Sequence, residues 1–405
     1  MMNKTKLSIA KRALDVSPSL TLAITAKAKK MQQDGIEVIG FGAGEPDFNT
    51  PDYIITAAKD ALDRGYTKYT PSSGILPLRQ AICNKLKRDN KLTYDPGQIV
   101  VSNGAKHSLS NAFMTIVQEG DEVIVPSPYW LTYPELIRLA GGIPVYVDCK
   151  DNEGFVMTPE QLTKAITPKT KAVIINSPSN PTGGIYTETQ LRELAKIITK
   201  ADIFVVSDEI YEHLIYGGKT HFSIAAVSED LYNRTIVVNG FSKTYAMTGW
   251  RIGYTASNTA LASAMDNMQS HTTSNANTIA QYASVEALSG KGEKEFLAKL
   301  VTTFDERRRL MYNRLSKMKH ISTNLPEGAF YFMVDITALI GKSVDGTKIM
   351  GAQTIAEILL DKAQIAVVPG EAFGAGDYIR LSYALSPSDI NKGLDRLEQW
   401  LDAIN

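Results

Sequence analysis

Between residues 50 and 290 the chain alternates short apolar runs with stretches of helical period. The runs 98–102, 122–125, 143–147, 172–175, 204–207, 235–238 and 251–255 have the length of strands. The run at 204–207 lacks two-residue alternation, as a parallel strand covered on both faces does. Helix-period segments fall at 106–117, 133–139, 188–200 and 277–288. This order predicts an α/β fold, with a mostly parallel seven-stranded sheet and helices on both faces. The last hundred residues read differently. A charged helical stretch at 294–318 leads to strand-like runs at 328–334 and 379–383, and an amphipathic helix at 387–401 follows. The expected division is an N-terminal arm with part of a small domain over 1–45, a large domain over 46–295 and a small α+β domain over 296–405.

Composition narrows the function classes. A chain of 405 residues accommodates two domains. Its 43 Lys and Arg balance 43 Asp and Glu, and no basic run is long enough for nucleic acid or an anionic membrane. The densest basic cluster, Arg307-Arg308-Arg309, lies in a helical stretch and reads as a solvated face. Two cysteines without CxxC spacing, Cys83 and Cys149, fit a reducing compartment. Residues 19–26 are mildly apolar but short, contain two threonines and follow Asp15, which argues against a secretion signal. No run approaches the ~18 apolar residues of a membrane span, so a cytoplasmic location is expected. The five histidines show no metal-ligand spacing, and no metal site is expected. A dinucleotide reading of Gly40-Phe-Gly-Ala-Gly44 fails, because Glu45, Pro46 and Asp47 follow where a helix would open.

Candidate chemistry collects at a few segments. In 239–253 one lysine, Lys243, sits among small and hydroxyl residues, with Arg251 eight positions on. Shielding from water leaves such a lysine a nucleophilic amine, able to form a Schiff base with an aldehyde. An arginine beside it binds phosphate by paired hydrogen bonds. Pyridoxal phosphate carries both groups. A surface-turn lysine and an arginine paired with a carboxylate fit the same residues, so other segments must decide. The apolar run 204–207 ends in Asp208 and Glu209, at the end of a strand where open α/β sheets bind ligands. Beside a pyridine nitrogen, Asp208 keeps that nitrogen protonated and the ring becomes an electron sink; a helix N-cap is its other reading. Segment 101–108 runs from strand into helix, which aims the backbone N–H groups of Gly104, Ala105 and Lys106 at a phosphate. Trp130 offers an indole for ring stacking or packs a core. The loop 176–183, with two prolines and a glycine, leaves Asn180 to donate to a ligand oxygen, and Tyr211 is placed to reach the same oxygen. Arg380 lies inside an apolar strand and needs an anion, from a neighbouring acid or from a substrate.

Together these segments resemble the class I aminotransferases among the fold-type I pyridoxal-phosphate enzymes. The resemblance runs from about Pro18 to the C-terminus through Ala43-Gly-Glu-Pro-Asp47, Lys68-Tyr-Thr70, 176–183, 208–211, Ser242-Lys243 and 379–383, in the family's order. Within the family the bacterial aspartate branch is most similar. The resemblance implies that Lys243 carries the cofactor and acts as general base, with Asp208 on the ring nitrogen and Trp130 stacked on the ring. It implies Asn180 and Tyr211 at the phenolic oxygen. Gly104, Ala105, Lys106, Ser242 and Arg251 would hold the phosphate, with Tyr69 reaching in from a second copy, hence an obligate homodimer. Arg380 and Gly44 would bind the substrate α-carboxylate, and Asn180 and Trp130 also border the substrate. Lys106, aided by Thr21, would bind a second carboxylate, which implies ping-pong transfer from L-aspartate to 2-oxoglutarate. Segments 16–21 and 368–374 would let a small domain close. Competing readings are an aromatic or broad-range aminotransferase, a lyase or decarboxylase on the same fold, and a regulatory domain without activity. Ser17 stands where relatives acting on prephenate carry a basic residue, which counts against that activity.

Overall fold

A computed structural model of the chain describes residues 9–16, 20–290, 292–344 and 346–404, the side chains of 20–23 and 25 excepted. Seven strands form the main sheet. They are β1 (Ile99–Ser102), β2 (Glu122–Ser127), β3 (Ile143–Asp148), β4 (Thr170–Asn176), β5 (Phe204–Asp208), β6 (Thr235–Gly240) and β7 (Gly253–Ala256). Their order is β1-β7-β6-β5-β4-β2-β3. Neighbours from β6 through β3 pair in parallel. Only β7 runs antiparallel, against both β1 and β6. Every residue of β1, β6 and β7 is buried, so the apolar runs are what a sheet with two covered faces requires.

Helices fall where the period placed them, at Ala105–Ile116, Thr132–Leu139, Glu188–Ala201 and Thr278–Ala287. The third begins with a capping box: Gln190 N–H donates to the Thr187 hydroxyl at 3.3 Å, and Thr187 N–H donates to Gln190 Oε1 at 2.9 Å. Further helices that the period did not mark include Leu20–Gln33, Asp52–Asp63, Leu76–Asn90, Pro159–Ala165, Glu229–Arg234, Thr259–Thr272 and Ala352–Lys362. The strand expected at 251–255 begins only at Gly253, because Arg251 takes a left-handed φ of 56° that ends strand geometry there.

A second sheet is antiparallel throughout. Its strands β8 (Ser322–Thr323), β9 (Tyr331–Asp335), β10 (Val368–Pro369) and β11 (Tyr378–Ser382) lie in the order β10-β11-β9-β8. Helices Glu293–Leu315 and Pro387–Asp402 pack with it around Phe304, Phe330, Phe332, Tyr383 and Leu397. The N-terminal residues join this unit, since Ile39–Gly40 pairs in parallel with Ile365–Ala366 and Phe41 enters the same core. The arginine cluster departs from expectation. Arg307 and Arg308 are 8% and 5% exposed and turn inward onto Asp47 and Asp305, so only Arg309 of the three is the solvated residue expected. Among the described residues no helix is long and apolar enough to cross a membrane.

Candidate active site

The C-terminal ends of the parallel strands open into a cavity of about 410 Å³, where an open α/β sheet presents its ligand crevice. Strands β1, β4, β5 and β6 lead into its features. β5 ends in Asp208, and its parallel neighbour β4 ends at the same level in Asn176. β6 runs out into Ser242 and Lys243, and the chain returns through Arg251 into β7. β1 passes through Gly104 into the helix opening at Ala105. Two glycines make this close approach possible. A Cβ on Gly104, whose φ is +83°, would lie 2.3 Å from Arg251 Nη2, and one on Gly253 would lie 2.3 Å from the Ala105 nitrogen.

Asp208 is buried, and its carboxylate accepts from the Tyr133 hydroxyl at 2.7 Å and from Ile210 N–H at 3.3 Å. Burial raises its pKa to about 6, despite those two donors, which pull it down. Lys243 Nζ donates to the Gly44 carbonyl at 2.5 Å. Burial lowers its pKa to about 8; Glu45 opposes this, and Arg380 and Arg251 add to it. Arg380 Nη1 donates to Asn180 Oδ1 and Nη2 to the Gly42 carbonyl, each at 3.0 Å, while Nε is buried without a partner. Its guanidinium lies 4.3 Å from the Tyr331 ring centre. The contact from Arg380 also orients Asn180. With Oδ1 occupied, Nδ2 is the edge left to donate. Tyr211 and Tyr331 share a hydroxyl contact of 2.9 Å, and burial pushes the Tyr211 pKa well up.

In the same cavity Lys106 Nζ stands 5.0 Å over the Trp130 ring. Burial lowers its pKa, and the nearby Arg251 adds to this. Among the described residues neither Lys106 nor Arg251 forms an ion pair, and Arg251 spends one N–H on the Thr248 carbonyl at 2.8 Å. Arg251 beside the first turn of the helix opening at Ala105 forms an anion site, and Lys106 Nζ adds a second cation to the cavity. A buried carboxylate, an amine with depressed basicity and an anion cradle in one cavity fit the ring nitrogen, aldehyde and phosphate of pyridoxal phosphate.

Gly44, Ala105, Lys106, Trp130, Asn180, Asp208, Tyr211, Ser242, Lys243, Arg251 and Arg380 all line this one cavity. Gly104 lies just behind it, against Arg251. Tyr69 is not brought in; it stands 91% exposed on its own chain. The Thr21 side chain and Ser17 lie outside the described residues. Three contributors were not singled out in the sequence. Tyr133 and Tyr331 hold Asp208 and Tyr211, and Asn176 donates to the Asp208 carbonyl at 3.0 Å while accepting from Asn180 N–H at 2.9 Å. Tyr133 falls one helical turn after Trp130, the only sequence signal it gave.

The aminotransferase class I and II family model matches residues 36–397. The chain belongs to that family. It is 49% identical over 393 residues to the aspartate aminotransferase of Bacillus sp. strain YM-2, covering 97% of this chain and 99% of that one. It is 46% identical to the aspartate/prephenate aminotransferase of Cereibacter sphaeroides, covering 95% and 96%. Among solved structures it resembles Thermus thermophilus aspartate aminotransferase with maleate, with a TM-score of 0.92, 41% identity and 97% and 99% coverage. As in other class I and II aminotransferases, the large sheet belongs to the pyridoxal-phosphate transferase fold.

An aminotransferase with this site has a signature in its ligand-free stability. Asp208 has its pKa raised from 3.8 to about 6. Its contribution to stability is therefore present below about pH 4 and is lost as pH rises through about 6. Lys243 has its pKa lowered from 10.5 to about 8, so its contribution is lost as pH falls across that window. In urea melts of the ligand-free chain, Asp208→Asn abolishes the fall between about pH 4 and 6. A slope that persists in the variant refutes the assignment.

Proposed function

We propose that this chain transfers the amino group of L-aspartate to 2-oxoglutarate by a ping-pong reaction, giving oxaloacetate and L-glutamate. One observation carries the reading: one cavity gathers Lys243, Asp208 and Arg380 with Lys106, which forms no ion pair among the described residues. Pyridoxal phosphate, when bound, supplies the electron sink and the site that stores the amino group.

The chain's own residues do the rest. Lys243 would hold the cofactor, and its amine, with basicity lowered toward neutrality, takes the substrate α-proton and returns it. Asp208, held in place by Tyr133, would keep the ring nitrogen protonated. Asn180 and Tyr211 would donate to the phenolic oxygen. Trp130 would cover the ring face. Ala105 and Lys106 backbone N–H groups, the Ser242 hydroxyl and Arg251 would take the phosphate. Arg380 takes the α-carboxylate beside Gly44, and Lys106 Nζ takes the second carboxylate.

Tyr69 contributes from a second copy of the chain, which makes the enzyme a homodimer with shared sites. Its 91% exposure supports this placement, and a dimer mass in solution tests it. We assign the protein to the cytoplasm. The division at 1–45, 46–295 and 296–405 is supported by the two separate sheets and by Ile39–Gly40 joining the second unit.

The test is spectroscopic. L-aspartate bleaches the visible absorbance of the lysine-bound cofactor, and 2-oxoglutarate restores it. No change with aspartate, but bleaching with phenylalanine or prephenate-derived amino acids, overturns the dicarboxylate assignment. Lys106→Met sharpens this test. Losing one charge-assisted contact of about 2–3 kcal/mol lowers kcat/KM for aspartate by about 10²-fold. Steady-state kinetics with alanine and phenylalanine stay within about threefold, because neither presents a second carboxylate.

A further inference from the structure

Segment 41–50 crosses the face of the cavity, fastened along its way. Phe41 N–H donates to the Ala366 carbonyl at 2.8 Å, and the Phe41 carbonyl accepts from Ser382 N–H at 2.8 Å. The Gly42 carbonyl accepts from Arg380 and the Gly44 carbonyl from Lys243. Glu45 accepts from the Thr248 hydroxyl at 2.7 Å, and the Thr50 hydroxyl donates to the Ala246 carbonyl at 2.7 Å. Between those points stands one ion pair from a distant element. Arg307, on helix Glu293–Leu315, donates from Nη1 and Nη2 to the two Asp47 oxygens at 2.7 and 2.9 Å. Its guanidinium lies 5.9 Å from the Phe48 ring centre and 5.7 Å from that of Phe304, and Phe48 meets Phe296 and Phe304 edge-on.

We propose that the Asp47–Arg307 pair is a positioning device for the reaction, setting where the Gly42 and Gly44 carbonyls meet Arg380 and Lys243. The inference rests on the roles given above to Arg380 and Lys243. Both residues orient by donating to this segment's backbone, so a shift of the segment redirects the carboxylate clamp and the base together. The paired, planar contact specifies a direction that apolar packing alone does not. Stability is a poor account of the pair. Arg307 is 8% exposed and keeps a buried Nε without a partner, while Asp47 is nearly one-third exposed, so desolvation offsets much of the attraction.

Four variants of the holoenzyme test this: Asp47→Asn, Arg307→Met, Arg307→Lys and the apolar double variant Asp47→Leu/Arg307→Met. We expect kcat/KM for aspartate to fall about 10- to 10²-fold in Arg307→Met and in the double variant, the size that a misplacement of up to about 1 Å produces. Arg307→Lys, keeping a charge without the planar fork, recovers part of the loss. The readout independent of turnover is hydrogen exchange in the ligand-free chain. Amides of 41–50 exchange at least about tenfold faster in Asp47→Asn, while those of helix Glu293–Leu315 stay protected. If the double variant restores thermal stability together with wild-type kcat/KM, the pair is only structural and the proposal is overturned. Unchanged exchange across 41–50 overturns it as well. A wild-type enzyme inert toward aspartate instead refutes the reaction assignment, a separate outcome.

Discussion

Replacing Lys243 by alanine lowers kcat by about 10⁴-fold or more, the upper range for a positioned general base. The expectation follows from what surrounds the amine. Nζ donates to one backbone carbonyl, and burial has brought its pKa to about 8, so near neutrality it exchanges a proton at little cost. The other bases around it are poorly suited, and Glu45 is engaged by the Thr248 hydroxyl at 2.7 Å. Asp208 is held by Tyr133 and Ile210, and Tyr211 has its pKa pushed well up. The variant still folds, because removing a buried amine relieves a desolvation cost. Its visible spectrum lacks the lysine-bound band, while added cofactor still quenches Trp130 fluorescence through the remaining contacts. Residual turnover within tenfold of wild type means that another residue moves the proton.

Arg380→Ala gives the second large loss, about 10³-fold in kcat/KM for every amino acid tested. Removing one partner of a buried charged contact costs about 2–5 kcal/mol, and each 1.4 kcal/mol is tenfold. Two effects combine. The α-carboxylate loses its paired donors, and Asn180 loses the contact that turns its amide outward. The second effect also weakens cofactor affinity, which separates this variant from Lys106→Met, where only dicarboxylates suffer. Stopped-flow measurement of the aspartate half-reaction reads both. A loss confined to aspartate and glutamate would show that Arg380 serves the side chain instead.

The strands were legible because a strand covered on both faces is buried along its length and reads as a mostly apolar run, and every residue of β1 and β6 is buried. The segments that line the cavity were legible because each breaks a local rule: a charge ending an apolar run at Asp208, an arginine within one at Arg380. Helix Leu76–Asn90 was not legible. Its inward face is partly polar, with Lys85 and Asn90 buried onto Glu212, a partner 127 and 122 residues away. Asn239 donates to the same carboxylate at 2.6 Å. Amphipathic period carries no trace of such pairing. The same reason hid Arg307, whose burial is decided by Asp47 at a separation of 260 residues. Tyr133 could be placed on a helix but not on Asp208, which lies 75 residues later.

Lys243 and Arg251 occupy the two ends of the turn that joins β6 to the antiparallel β7. A ligand held at both ends closes that turn like a clip. Opening the turn then requires releasing the ligand, so mass action protects it by about 4 kcal/mol at a thousandfold excess over Kd. Freshly made chains therefore differ in lifetime according to cofactor supply.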